Sequence, residues 1–329
     1  MESTETANRN IHRSRGVYLL GFLTKYYIQS LLLISVVILA AVNPYFRSLG
    51  NLQNILLQAS FAGIGAAGMT LLIVSGAFDL SVAGLLGLCG VLISALLPWV
   101  GAFLTFLAAL LLGVLLGSLN GVVVTKLRIP AFIATLGMMN IYLAFAFIWT
   151  GGSRVVAISD PGFNALGTGT LFGILPIPFL AMIVTYLACY GILNRSVYGR
   201  CLRAVGSSEV AARTAGLPVD FIRILAFAIV GGCTALAGVF LGAELSSASA
   251  IMATGYELTV IAVVVIGGTS LKGGQGTLFG SFTGALFFAV ISSALNILNV
   301  AAYWQYVATG AFLISALGVQ ALRSYIVVQ

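Results

Sequence analysis

The chain has 329 residues, of which 60% are hydrophobic and only 7% charged, and its net charge is +7. Soluble domains carry about 25% charged residues, so this composition cannot build a water-facing surface, and a mean hydropathy of +1.11 makes the bilayer the solvent for most of the chain. The excess of Lys and Arg reads as membrane topology and not as a nucleic-acid interface.

Lipid offers no hydrogen bonds, so spanning segments are helices or a closed barrel. The apolar runs here are continuous and not alternating, which selects helices and an all-α, polytopic membrane fold. Residues 1–27 read as a cytoplasmic tail. They carry Arg9, Arg13, Arg15 and a solvated His12, and lack the apolar core and cleavage site of a signal peptide. Residues 28–46 form the first expected span and 52–75 the second. Residues 80–125 contain no charge and are long enough for two spans, with a turn at Pro98, Trp99 and Gly101. A fifth span covers 129–153 and starts at Pro130, a good first-turn residue. A sixth covers 176–193 and a seventh 224–243. A short eighth ends near 271 and begins near Ala253. Residues 273–322 hold two more spans with a break near 299–303, which makes ten and leaves 324–329 as a C-terminal tail. Residues 28–323 are read as one transmembrane domain.

With both termini in the cytoplasm, thirteen Lys and Arg lie inside, and only Arg47 and Arg154 outside. Trp99, Trp149 and Trp304 then sit at outer helix ends, as interfacial anchors should. Cys89, Cys189, Cys201 and Cys233 show no CxxC spacing and read as small hydrophobes, with no metal or disulfide role. The segments around Asp79, Asn120 and Thr135 echo those around Glu257, Asn296 and Thr309 at offsets of 178, 176 and 174. Asp79 lies at an inner span end and Glu257 at an outer one. Spans 2–5 and 7–10 are therefore read as inverted repeats, a transporter signature. Residues 75–90 and 254–268 are candidate broken helices.

No Ser-His-Asp set, HExxH or paired carboxylates occur, so no residue is assigned a catalytic role. GGTSLKGGQG at 267–276 lacks the P-loop spacing and reads as a tight cytoplasmic turn. ATP hydrolysis is not expected in this chain. Asp79 and Glu257 fit either carboxylates favoured at helix starts or a gating role. Asn120, Thr135, Asn140, Asn296, Gln305 and Thr309 fit either helix-to-helix hydrogen bonds or a pathway for a hydroxyl-rich solute. The lack of a midplane charge suits a neutral solute.

Seven charged residues, Arg195, Arg200, Arg203, Glu209, Arg213, Asp220 and Arg223, crowd into residues 194–223 between long apolar walls. Ser207 or Ser208 can cap a short helix over 209–215, and Gly216 with Pro218 stops it. A helix of two turns is marginal alone in water, so it must be held by its own spans or by a partner. Ala211, Ala212 and Ala215 permit close approach, and Arg200 and Arg213 could pair at the rim of a contact.

YGRCLRAVGSSEVAARTAG at 198–216 resembles the cytoplasmic coupling segment of ABC-importer permeases of the ribose/xylose/arabinose class, with Glu209, Ala211, Ala212 and Gly216 as its core. DLSVA at 79–83 is similar to that family's DLSVG, with Ala83 where glycine is usual. LNG at 119–121, PAFIATLGM at 130–138, GYEL at 255–258 and VIGGTSLKGGQGT at 265–277 are also family-like, so the resemblance covers about 51–322. It implies a permease subunit that pairs with a second copy, identical or not. It also implies two ATP-binding cassette subunits beneath, carrying the ATP and Mg, and an extracytoplasmic sugar-binding protein above. No cofactor is expected in this chain. An ABC permease for an amino acid or other small metabolite, and an ion-coupled secondary transporter, are the alternatives.

Overall fold

The computed structural model describes residues 27–152, 155–301, 303–311, 314, 315 and 318. The expected tails at 1–27 (save Tyr27) and 324–329, with Arg9, His12, Arg13, Arg15 and Lys25, lie outside the described residues, as do Arg154 and Arg323.

The described chain is helical. Helix α1 is Tyr27–Val42, followed by a 3-10 turn at Pro44–Arg47; α2 is Leu49–Val74, α3 Val82–Lys126 and α4 Ala131–Trp149. A short α5, Pro161–Thr168, precedes α6, Ile177–Tyr190, which widens into a π turn at Gly191–Arg195. Then come α7, Val197–Ser207, α8, Glu209–Thr214, α9, Val219–Leu245, α10, Tyr256–Ile266, and α11, Leu278–Ile297. The chain is helical again over 303–311. Two antiparallel pairs of two residues each, Val156–Ala157 with Ser247–Ala248 and Thr170–Leu171 with Leu175–Pro176, tie down loops. Their brevity hid them from a reading by hydrophobic pattern.

Six described helical segments are long and apolar enough to cross a membrane, and α1 and α10 are shorter apolar helices. The 45-residue α3 is interrupted where expected: Gly101 has φ 76° and ψ 172°, three residues after Pro98. Proline removes a helical donor and glycine tolerates the left-handed φ, so α3 has two arms. Asn299 at φ 53° marks the other expected break. Helix α9 starts at Val219 and not at 224, because the charged first turn, Asp220 and Arg223, is helical too. Boundaries are set locally by caps. Ser48 Oγ accepts from Asn51 N at 3.2 Å, and Thr277 Oγ1 accepts from Gly280 N at 3.1 Å.

Helix α2 is the axis of the molecule. Almost all of its residues from 59 to 74 are buried, and it packs on α6, α9, α10 and α11. Apolar association gains little within lipid, so close van der Waals packing of small residues must hold such helices together. Gly63, Gly65 and Gly68 do this on α2: added Cβ atoms there would run into Met182, Tyr256 and Cys233. The room at Gly65 lets Tyr256 donate its hydroxyl to the Phe61 carbonyl at 2.9 Å. The most extensive packing among the described elements joins α3 to α9. There Gly113, Gly117 and Gly121, four residues apart, let the backbone of the second arm of α3 lie against that of α9 near Phe227 and Gly231. Helix α4 is mostly exposed, as lipid-facing or subunit-facing helices are.

A Cβ at position 117 would meet the Phe227 carbonyl, whereas one at position 137 meets nothing within 4 Å. Gly117→Ala should therefore cost about 1–3 kcal/mol, while Gly137→Ala, on the free face of α4, should add about 0.5–1 kcal/mol. Thermal unfolding of the detergent-solubilised chain reads both, and equal midpoints would contradict the crossing.

Candidate functional site

The charged island forms an arm of two helices. Ser196 Oγ accepts from Gly199 N at 3.0 Å and starts α7. Ser208, extended at φ −160°, accepts from Ala211 N at 3.3 Å and starts α8. Helix α8 ends at Thr214, one residue before the expected end. Gly216 N donates to Arg213 O and Leu217 N to Ala212 O, both at 3.0 Å, with Gly216 at φ +80°. This double closure needs a left-handed residue, which glycine supplies without strain.

Five charged side chains lock the arm to the spans. Glu209 Oε2 accepts from Arg223 Nη1 at 2.5 Å, and Glu209 Oε1 lies 2.9 Å from Arg213 Nη2. Arg213 Nη2 also reaches Asp220 Oδ1 at 2.6 Å, and Asp220 Oδ2 accepts from Lys126 Nζ at 3.1 Å. Arg223 Nη2 then points at the carbonyl of Ser75, 3.5 Å away at the end of α2. Partial burial alone would raise the Glu209 carboxyl, but Arg223 and Arg213 outweigh it and hold the group below its ordinary 4.5. Its contribution to stability is therefore complete above the ordinary carboxylate range and is lost only as pH falls through the lowered value. Exposed pairs are worth about 0–1 kcal/mol each. The link through Arg223, whose side chain is 16% exposed, is the least screened.

Glycines complete the seat of the arm. Gly206 of α7 is so close to the Val74 carbonyl and to Gly274 N that no side chain fits. Gly274 N itself donates to Val74 O at 2.9 Å, and Arg203 Nη1 donates to Gly276 O at 3.2 Å. The glycine-rich 267–276 is thus a tight turn, with Gly268, Gly273 and Gly274 all at positive φ, that props the arm. A cavity of about 680 Å³ opens between the arm and the spans, bounded by Gly76, Ala77, Arg128, Glu209, Arg213 and Arg223.

Of the other residues singled out in the sequence, Ala212 is buried under α8, while Ala211, Ala215 and Val210 face outward, Val210 at 78% exposure. Arg213 is engaged within the chain, with Glu209 and Asp220, while its side chain stays 49% exposed. Arg200 makes only a 3.4 Å contact to the Ser196 carbonyl.

Asp79, Asn120 and Thr135 come together in one buried knot. Asp79 Oδ1 accepts from Ser81 N at 2.7 Å, and Oδ2 accepts from Asn120 Nδ2 at 3.0 Å. Asn120 Nδ2 also donates to Ser81 Oγ at 2.6 Å, and Asn120 Oδ1 accepts from Tyr142 OH at 2.7 Å. Leu80 N donates to Thr135 Oγ1 at 3.1 Å. Asp79, Ser81, Asn120 and Thr135 are wholly shielded, and Tyr142 is 1% exposed. The knot ties the α2–α3 loop to the second arm of α3 and to α4. Ser81 and Tyr142 were not singled out in the sequence. Both had a signal: Ser81 stands two residues after an aspartate, the spacing of an Asx turn, and Tyr142 shares a helix face with Thr135 at seven residues.

The remaining candidates lie elsewhere. Asn140 is exposed and bonds only to the Leu136 carbonyl of its own helix. Asn296 Oδ1 accepts from Gln305 Nε2 at 2.7 Å, and Thr309 bonds to the Gln305 carbonyl at 2.8 Å. Glu257 opens α10 after the left-handed Gly255, half-buried. The repeat partners Asp79 and Glu257 thus have unlike surroundings.

The described residues form a bundle of apolar helices, six of them long enough to cross a membrane, that carries a charge-clamped arm and a buried polar knot. Residues 51–317 match the family described as branched-chain amino acid transport system, permease component, and the chain belongs to that family. It is 39% identical over 280 residues to the ribose import permease protein of Escherichia coli (strain K12), covering 84% of this chain and 87% of that one. It is 33% identical over 318 residues to the ribose import permease protein of Bacillus subtilis (strain 168), covering 96% of each chain. It is 38% identical over 279 residues to the L-arabinose transport system permease protein of Escherichia coli (strain K12), covering 83% of each. No solved structure gives a significant match.

Asn120→Leu takes a partner from Asp79, Ser81 and Tyr142 at once and should cost about 2–5 kcal/mol, with Asp79 left to Ser81 N and the Tyr142 hydroxyl left to the Leu116 carbonyl at 3.1 Å, whereas Tyr142→Phe deprives only Asn120 Oδ1 and should cost about 1 kcal/mol. Unfolding midpoints in detergent compare them; equal losses would mean that Asn120 is not the centre of the knot.

Proposed function

We propose that the chain is the membrane subunit of an ATP-driven importer that passes a monosaccharide or similar neutral polyhydroxy solute into the cytoplasm. The observation that carries this reading is the path from α8 to the knot. Glu209 holds Arg223, Arg223 reaches the Ser75 carbonyl, and four residues on stands Asp79 with Asn120 and Tyr142. A push on α8 would thus reach the α2–α3 loop and the helices it fastens.

Ten spans follow if the two arms of α3 cross separately and if α1, α10 and the helix from 303 cross as well. Both termini then lie in the cytoplasm, and spans 2–5 and 7–10 form inverted halves. Residues 28–323 make one domain, with 194–223 as its cytoplasmic coupling loop. Separate subunits carry the ATP and Mg, a second permease copy completes the pore, and an extracytoplasmic binding protein delivers the sugar. With Arg213 engaged in the chain, the free face of α8, Val210, Ala211 and Ala215, is the part left for an ATPase groove. The ATPase must bind one permease state better than the other. Swinging occupancy from about 1:99 to 99:1 takes about 5.5 kcal/mol of differential binding.

The relatives' names, ribose and arabinose, support the sugar. The family's description names branched-chain amino acids, which supports the second reading, an ABC permease for an amino acid or another small metabolite.

Glu209→Lys sets a third cation against Arg213 and Arg223, and Gly216→Val forces a β-branched residue to φ +80°. Both should abolish uptake while the chain still inserts in the membrane, scored by radiolabelled D-ribose uptake and membrane blotting. Normal uptake in both variants would end the coupling role. Transport by the isolated chain in ATP-free vesicles would end the ABC reading.

A further inference from the structure

Helix α2 carries four amides, and three of them, Asn51, Asn54 and Gln58, stand at spacings of three and four, which put them on one face. On an apolar helix that spacing normally builds a greasy stripe. The neighbouring face is the ordinary one: Ile55 and Ala59 are buried in the core. Gln58 is nine residues into the helix, about 14 Å along it at 1.5 Å per residue, well into a hydrocarbon layer about 30 Å thick. An amide at such depth must face protein or a polar cavity.

The structure supplies that cavity. A space of about 170 Å³ lies between this face of α2 and the C-terminal turns of α11, walled by Tyr45, Asn51, Asn54, Gln58, Ser293 and Asn296. Three of these are already employed. Asn51 donates to the Phe46 carbonyl at 3.0 Å and accepts from Ser293 Oγ at 2.7 Å, and Asn296 is taken by Gln305. These bonds fix the wall. Asn54 and Gln58 bond to no other described residue and line the cavity with free donors and acceptors. Asn54 also borders a second cavity, of about 210 Å³, beside Gln53, Thr168 and Thr170.

We propose that the 170 Å³ cavity is a contact site for the hydroxyls of an uncharged polyol on its way through the membrane, with Asn54 and Gln58 as the residues that touch it. An amide both donates and accepts, which matches a hydroxyl that does the same. An amino acid carries a carboxylate and an ammonium, and a site for it would want charged partners; none lines this cavity. Start of α2 and end of α11 lie on the extracytoplasmic side in the proposed topology, where solute arrives. The inference rests on the importer reading and gives its solute a contact site on the way in.

The test uses the complete importer in cells, with radiolabelled D-ribose, L-arabinose and L-leucine as probes. Asn54→Leu and Gln58→Leu should each lower uptake of the carried pentose about tenfold, the loss of one good hydrogen bond, with the ATPase still copurifying. The loss should be smaller for 2-deoxy-D-ribose, which has one hydroxyl fewer. If a leucine variant falls in membrane abundance, Asn54→Gln and Gln58→Asn keep the amide and should shift the ribose-to-arabinose ratio. Uptake within about twofold of the unsubstituted importer, or an equal loss for ribose and its deoxy analogue, overturns the site alone. An unsubstituted importer that takes up neither pentose overturns the importer reading for sugars, and this site with it.

Discussion

A carboxylate deep among apolar helices has to find all its partners inside the protein, and that requirement organises the end of the molecule where α2 stops. Asp79 meets it with Ser81 and Asn120, and Asn120 in turn needs Tyr142. The loop that carries Asp79 begins where α2 ends, and α2 is the helix on which α6, α9, α10 and α11 pack. Its last carbonyls are used twice more: Val74 O takes Gly274 N, and Ser75 O faces Arg223. The end of one helix thereby joins the core, the knot, the glycine turn and the arm. Buried polar groups of this kind are costly when half satisfied and rigid when complete.

The arm obeys a different rule. Its charges are mostly solvated, so each pair contributes little, but together they fix a bearing. Arg213 bridges Glu209 and Asp220, and Arg223 repeats the contact from the other side. A two-turn helix that could not persist alone is thus held at a set angle to α9, with its alanines and Val210 outward.

Much of this was legible in the chain. Caps and stops named α8 to within one residue because Ser208 and Gly216 act over three or four positions. Pro98 and Gly101 announced the interruption of α3 for the same local reason. The knot was half legible. Asp79, Asn120 and Thr135 are rare polar residues in apolar surroundings, but nothing local says that they meet across 56 positions. Tyr142 was passed over since a tyrosine in a span looks like bulk, although its hydroxyl still needs a partner. Asn140 lies apart from the knot through helix phase. It stands five residues from Thr135, about 140° around the axis, and so faces away from the knot. The amides of α2 were hidden inside a run counted only for its lack of charge.

The π turn at Gly191–Arg195 has a quieter bearing on all this. A wide turn holds one residue more than the α-helical pitch requires. Removing that residue would return the turn to α-helical pitch and turn the rest of the chain by about 100°. Ser196 would no longer cap α7, Gly206 would leave Val74, and α8 would face another way. The direction in which this permease presents its arm is therefore a matter of counting, stored in one spare residue at the foot of a membrane helix.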